Sequence, residues 1–197
     1  MQSSKVKETG RIALELGFVP ILVRIDAKIP LMKGWLGTTK ESAEGTFQRS
    51  KSPHNVGIIT GEKSGVIVID VEREDLDEWD QLLKEQHAKL DTLTISSGNG
   101  GVHVYFKYKP SLSDIRNGVK IKLPLKNGEF SHVDIRTNGA QAMFINSIHP
   151  KSHKKYVPIG GWHEHPEEDA IDVNIEDMPD WLVEDIRSAQ SKIGKRR

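Results

Sequence analysis

Apolar residues recur along the chain at two spacings, and these predict alternating helices and strands. Residues 6–16 carry apolar side chains at helical spacing, which indicates an amphipathic first helix. Residues 18–23 are mostly apolar and predict a strand. A capping-box spacing between Thr38 and Glu41 predicts the start of a second helix, which carries Phe47.

The strongest strand signal lies in residues 65–72, an almost continuous β-branched run. Such a run is typical of a central strand that is buried on both faces. Apolar residues at helical spacing follow from Leu76 onward and predict a helix that packs on the sheet. We also expect strands at residues 55–59, 92–95, 102–108, 131–136 and 142–145, a loop from there to about 168, and a last helix at 180–191.

This order of elements predicts an α+β fold in which residues 1–197 form a single domain, because domains usually run to roughly 100–200 residues. We expect an N-terminal α/β subregion at about 5–60, a mixed catalytic sheet with flanking helices at about 61–165, and a closing helix at about 178–191. Residues 192–197 look like a frayed or truncated basic tail.

The composition limits the chemistry. The chain has no cysteine, which excludes disulfides, iron–sulfur clusters and thiolate zinc sites. It has no run of about 18 apolar residues and no apolar signal segment after Met1. We therefore expect no membrane partner, and a location in the cytoplasm or in the compartment that holds a host's nucleic acid.

Charge is unevenly distributed although the formal net charge is zero. An acidic segment, with Arg73 as its sole base, contains Asp70, Glu72, Glu74, Asp75, Asp77, Glu78 and Asp80. A basic segment, with Asp114 as its sole acid, contains Lys107, Lys109, Arg116, Lys120, Lys122 and Lys126. The two segments suit a metal site beside a phosphate track, and the alternative is that both are solvated surface.

Three carboxylates are the candidate metal ligands. Asp70 and Glu72 stand two residues apart at the end of the apolar strand, so both point to one side of the sheet. Asp134 lies between apolar Val133 and Ile135, which places it on the polar face of its own strand. Oxygen ligands of this kind suit Mg²⁺ or Mn²⁺. The alternative is that Asp70 ends a strand and Glu72 begins a surface turn.

A loop of small residues precedes a histidine on the adjoining strand. Backbone N–H groups of the loop, which includes Ser97, Gly100 and Gly101, are candidate contacts for a triphosphate, and His103 follows on the polar strand face. Arg136 shares a face with Asp134 and is a further candidate for phosphate. Taken separately, such features are more often a hairpin turn, a structural histidine and a surface arginine.

These motifs resemble a known family in their order. Asp70-x-Glu72, then the segment SGNGGVHVYF at 97–106, then Val133-Asp134-Ile135-Arg136 are similar to the bifunctional primase/polymerase N-terminal domain of plasmid and phage replication proteins, within the archaeo-eukaryotic primase superfamily. Segments at 17–20, 28–35 and 55–61 extend the resemblance, which covers roughly residues 10–165. The segment at 145–150 departs from the family, which more often has prolines before the serine.

The resemblance implies a divergent RNA-recognition-motif-like sheet and template-directed nucleotidyl transfer. By position, Asp70, Glu72 and Asp134 would bind two divalent ions, Mg²⁺ or Mn²⁺, and His103 would contact the phosphates of the incoming nucleotide. The family often has two aspartates in its first motif, so Glu72 is a variant. Some relatives carry a cysteine-bearing zinc stem, which this chain cannot form, and zinc is not expected.

The expected activity is that of a primase and DNA polymerase, with single-stranded DNA template, primer and dNTP or NTP as partners. A helicase, as a further domain or a separate protein, is another candidate partner, and Lys107, Lys120 and Lys122 are candidate DNA contacts. Two other functions stay open. The carboxylates equally suit a metal-dependent nuclease or phosphohydrolase, and a non-catalytic module that binds template or origin DNA is the alternative without chemistry.

Overall fold

The helical and strand patterns of the sequence fold into an α+β arrangement, as predicted. The computed structural model describes residues 2–168 and 170–194, so residues 195–197 of the predicted tail lie outside the described residues. The helices are α1 (Gln2–Glu15), α2 (Lys40–Arg49), α3 (Leu76–Glu85) and α4 (Asp180–Gly194). The strands are β1 (Pro20–Val23), β2 (Asn55–Ile59), β3 (Val66–Val71), β4 (Thr94–Ser96), β5 (Val102–Lys107), β6 (Gly118–Pro124), β7 (Phe130–Arg136), β8 (Gln141–Met143), β9 (Val157–Gly160), β10 (Trp162–His165), β11 (Ala170–Val173) and β12 (Glu176–Asp177).

A small antiparallel sheet of order β1-β2-β8 forms the first layer, with α1 and α2 packed on it. The small sheet therefore includes β8, whose residues are predicted by the sequence to lie in the catalytic sheet.

The predicted cap of α2 is wrong by one residue. Thr39 Oγ1 accepts from the Ser42 N–H, and Ser42 Oγ accepts from the Thr39 N–H. Thr38 instead closes the turn before the helix, because its N–H donates to the Trp35 carbonyl.

The larger sheet has the strand order β6-β7-β3-β5-β4-β9, and β12 joins β5 in parallel. β3 lies between β7 and β5 and pairs antiparallel with both. Its side chains alternate, as the β-branched run predicts. Val66 and Val68 enter the core shared with the small sheet, whereas Ile67 and Ile69 enter the core under α3 and α4.

The larger sheet lies between two hydrophobic cores, one on each of its faces. On the side of the small sheet, Phe18 stacks on Tyr105 with ring centroids 6.4 Å apart. On the other side, α3 and α4 bury Trp79, Leu82 and Leu182 against the sheet. Asp70 follows Val66 and Val68 on the first of these faces and is partly exposed, so the predicted site begins where the apolar run of β3 ends.

Several strands were not predicted. Residues 118–124 form β6, in which Ile121 and Leu123 are buried between exposed lysines. The segment predicted as a loop up to about residue 168 contains β9 and β10. Throughout residues 2–168 and 170–194, no helix combines the length and the apolar character needed to cross a membrane.

Candidate active site

Asp134, Asp70 and His103 lie in one row across three neighbouring strands. Asp70 pairs directly with Asp134 of β7 on one side and with His103 of β5 on the other. Asp70 continues the face of β3 that carries Val66 and Val68, two residues beyond the last covered position. Directly opposed residues in a sheet have Cβ atoms about 4.5–5.5 Å apart, so the two acids are close neighbours.

Arg136 provides the positive charge between these acids. It follows Asp134 by two residues, so its side chain rises on the same face. Its Nη2 lies 2.9 Å from Asp134 Oδ2 and 3.4 Å from Asp70 Oδ2. Like charges directly opposed across strands destabilise a sheet, and this contact offsets that repulsion.

A bulge in β6 directs a backbone donor at the second oxygen of Asp134. The register of β6 on β7 shifts between Gly118 and Ile121, and Lys120 there adopts the left-handed conformation with φ of 51°. This conformation is unfavourable for a residue other than glycine. It brings the Lys120 N–H to 2.8 Å from Asp134 Oδ1.

Asp75 anchors that bulge from the turn that follows β3. Its carboxylate accepts from Lys120 Nζ at 2.5 Å and lies 3.3 Å from His132 Nδ1. The Asp75 side chain is largely buried, whereas Glu74, which lies 3.7 Å from the same ammonium, is exposed. The Lys120 ammonium is therefore engaged within the protein, and its predicted role as a DNA contact stays a prediction.

Glu72 lies just beyond the end of β3, in extended backbone. Burial raises the pKa of its carboxyl, and the negative charges of Asp70 and Asp134 contribute to the rise. Glu72 is therefore close enough to Asp70 and Asp134 for the three negative charges to repel one another. Such crowding is what a bound cation relieves.

The small-residue loop is a tight hairpin against the end of β3. The Gly100 N–H donates to the Ser97 carbonyl and the Gly101 N–H donates to Ser97 Oγ. A Cβ on Gly101 would lie 2.4 Å from the Val71 carbonyl oxygen, so this position requires glycine. Both amides donate inside the loop, and their contact with a triphosphate stays a prediction.

His103 is buried, with 3% of its surface exposed. Its Nε2 lies 3.5 Å from Asp70 Oδ1, and its ring lies 5.4 Å from the ring of Tyr156. Burial lowers the pKa of the imidazole, and the nearby charge of Asp70 opposes that shift. The structure therefore places His103 beside the acids as a close neighbour of Asp70, and its contact with phosphate stays a prediction.

Lys107 and Lys122, two of the predicted DNA contacts, lie in different parts of the larger sheet. Lys107 pairs with Val66 at the far end of β5, four residues from His103, or about 13 Å at the rise of a strand. Lys122 lies on the hairpin of β6 and β7, opposite His132, and its Nζ is 5.2 Å from the centroid of the exposed Phe130 ring. Lys122 and Phe130 share the face of Asp134.

Two charged residues of the site were not predicted. Lys28 is exposed in the segment between β1 and α2, and its charge acts on both Glu72 and His103. Its carbonyl accepts from Gln141 Nε2 at 3.2 Å. The segment 28–30 contributed to the family resemblance, which was the available signal for Lys28. The other residue is Asp75, which the sequence showed merely as one member of an acidic run.

The acidic side chains fit Mg²⁺ or Mn²⁺ by their chemistry. They supply carboxylate oxygens from Asp70, Glu72 and Asp134, and the first and last already share one cationic group, Arg136. In the part of the chain that the structure describes, no three Asp, Glu or His side chains are arranged to hold a metal ion. Arg136 lies where the two opposed acids meet, so an ion held by both acids would require that contact to open.

Comparison with protein families gives a match over most of the chain. A family model described as bifunctional DNA primase/polymerase, N-terminal, matches residues 12–181. This range contains the row of Asp134, Asp70 and His103, the small-residue loop before β5, and the hairpin of β6 and β7. A comparison with curated proteins finds no match.

Proposed function

Because the chain belongs to the bifunctional DNA primase/polymerase N-terminal family, we propose that it joins nucleotides on a DNA template, as a primase and DNA polymerase in replication. The family implies a nucleotidyltransferase-type enzyme. The observation that carries the proposal is the row of Asp134, Asp70 and His103 within the matched range. The pairing of β3 with β5 and β7 brings together one residue from each of the three separate sequence motifs.

The acids have distinct positions in the proposed reaction. Asp70 and Asp134 each direct one oxygen toward the shared position that Arg136 contacts, and Glu72 adds a third carboxylate at the strand end. Two divalent ions bound there would lower the pKa of the attacking hydroxyl and neutralise the charge that gathers at phosphorus. The Lys120 N–H donates to the other oxygen of Asp134, and His103 Nε2 lies 3.5 Å from the other oxygen of Asp70.

Cationic and aromatic groups near the acids support a path for nucleic acid. Lys122 and Phe130 lie on the face that leads to Asp134, where an exposed ring can stack on an unpaired base and an ammonium can contact a phosphate. The positive charge of Lys28 acts on both Glu72 and His103, so Lys28 is a candidate contact for the triphosphate. We also propose that the larger sheet is a divergent RNA-recognition-motif-like sheet.

The test is incubation with an end-labelled primer annealed to a longer template, with Mn²⁺ or Mg²⁺, in the presence and absence of dNTPs. The proposal expects labelled products longer than the primer that require both metal and dNTPs. Shorter products without dNTPs would assign the site to a nuclease instead. DNA binding with neither change would indicate a template-binding module.

A further inference from the structure

A guanidinium nitrogen lies between the two opposed acids. Arg136 Nη2 is 2.9 Å from Asp134 Oδ2 and 3.4 Å from Asp70 Oδ2. The other carboxylate oxygens face different groups, because Asp134 Oδ1 accepts from the Lys120 N–H and Asp70 Oδ1 faces His103. The two oxygens that point at the shared position therefore meet at one nitrogen of one side chain.

That nitrogen and a divalent ion cannot both lie at this position. Mg²⁺ binds carboxylate oxygens at about 2.0–2.1 Å, so an ion that takes one oxygen from each acid excludes the guanidinium. A third of the Arg136 side chain is exposed, so solvent is accessible to the guanidinium when it moves off the acids. Within residues 2–168 and 170–194, its side-chain hydrogen bonds go to the two acids.

We infer that Arg136 is an exchangeable counterion, which holds Asp70 and Asp134 together in the absence of metal, yields its position to a divalent ion, and then binds the phosphates of the incoming nucleotide. This inference rests on the proposed function and deepens it. A planar guanidinium suits both partners, because it pairs with carboxylate and with phosphate through the same two-pronged geometry.

Exchange of this kind couples the two ligands. Metal alone has to displace Arg136 from the acids without a new partner for its charge, which weakens metal binding. When a nucleotide is present, its phosphates receive the displaced guanidinium, so metal and nucleotide each strengthen the binding of the other. Arg136 is thus a competitor of the metal at the two acids and a binding residue for the nucleotide.

The test uses Arg136→Gln, which removes the charge and keeps a long polar side chain. Mn²⁺ affinity without nucleotide is measured by calorimetry and by the paramagnetic resonance signal of free Mn²⁺. We expect it to rise about fivefold or more. Affinity for a non-hydrolysable dNTP in saturating Mn²⁺ should fall by roughly ten- to a hundredfold. A misfolded variant would lose both affinities, so the opposite directions are diagnostic.

Two further variants separate displacement from the simple loss of a positive charge. Lys122→Gln removes one charge from the same strand face, but the Lys122 ammonium lies over the Phe130 ring. It should change Mn²⁺ affinity less than twofold. Arg136→Lys restores the charge and should return Mn²⁺ affinity toward that of the parent chain. An equal rise in Lys122→Gln would assign the effect to long-range electrostatics and overturn the inference.

The outcome distinguishes this inference from the proposed function. If the parent chain binds Mn²⁺, Asp134→Ala abolishes that binding, and Arg136→Gln binds Mn²⁺ no more tightly, the exchange is wrong and the metal site stands. If the parent chain binds no Mn²⁺ even in the presence of a nucleotide, or if Asp134→Ala leaves its binding unchanged, the proposed function fails and the exchange fails with it.

Discussion

Asp134 lies directly opposite Asp70 in the antiparallel pairing of β7 with β3. Their facing oxygens share one guanidinium nitrogen, from Arg136. The sheet thus forces two like charges together, and the guanidinium between them offsets their repulsion. The predictions below follow from that pairing and from the groups that hold it.

Asp75 is predicted to hold Asp134 through the bulge of β6. Asp75→Asn removes the charge that anchors Lys120, so it should lower the free energy of unfolding by about 1 kcal/mol. It should also weaken Mn²⁺ binding severalfold, because the Lys120 N–H no longer fixes Asp134. Urea unfolding and Mn²⁺ titration measure the two effects. Glu74→Gln is the matched control, and equal results for both variants would refute the anchoring role.

Gly101 is predicted to be essential for the close approach of the hairpin loop to β3. Gly101→Ala places a methyl group against the Val71 carbonyl, at 2.4 Å, and should cost about 1–3 kcal/mol of stability. Gly37→Ala is the control, because a Cβ at Gly37 meets nothing within 4 Å. Thermal melting of both variants decides the point. A Gly101→Ala protein as stable as the control would show that the loop shifts without cost.

His149 is predicted to make stability depend on pH. The Lys151 and Ser152 N–H groups both donate to its Nδ1, so the ring is neutral there. Burial lowers its pKa, and the positive charge of Lys28 adds to the shift. The unfolded chain therefore binds the proton more readily, and stability is lost as pH falls through the ordinary histidine pKa of about 6.5.

The check is the free energy of unfolding of the parent chain and of His149→Asn, measured by urea between pH 5 and pH 8. Asparagine keeps an acceptor for the two amide donors and does not titrate in this range. The variant should therefore lose less stability between neutral and acidic pH than the parent does. Identical pH dependence in both proteins would contradict a role for His149.

Lys122 and Phe130 are predicted to contact a single strand of DNA in different ways. Lys122→Ala should make the dependence of log affinity on log salt shallower by about 0.7, the contribution of one phosphate. Phe130→Ala should weaken binding by about 1–3 kcal/mol, the value of one stacked base, without a change in that slope. Lys109→Ala, which breaks a pair with Asp177 elsewhere, is the control. Fluorescence anisotropy across a salt series tests all three variants.

The sequence predicts the elements whose burial leaves a distinctive pattern. The run at 65–72 indicates β3 because a strand covered on both faces excludes polar residues until Asp70. Val133 and Ile135 likewise predict the inward face of β7 and place Asp134 on the other face. By contrast, β6 has exposed lysines at alternate positions and a glycine at its start, so its polarity conceals the buried Ile121 and Leu123.

The contacts of the site depend on pairing between distant strands, which a single sequence does not reveal. Nothing in the local pattern sets Asp70 against Asp134, since the two residues are 64 positions apart in the sequence. The sequence does not reveal that the Lys120 ammonium pairs with Asp75, because that pairing depends on a bulge and a left-handed residue. The short strands β9 to β11 are half exposed and carry little apolar periodicity.

Primer extension by Asp134→Ala tests most directly the claim that the opposed acids hold the metal for nucleotide addition. The assay contains labelled primer on template, dNTPs and Mn²⁺. The control is Asp114→Ala, whose exposed carboxylate pairs with Arg187 away from the acids. We predict that the parent chain and the control lengthen the primer, whereas Asp134→Ala loses at least about a hundredfold in rate yet melts at an equal or higher temperature. A folded Asp134→Ala that extends the primer at nearly the parent rate would contradict the account.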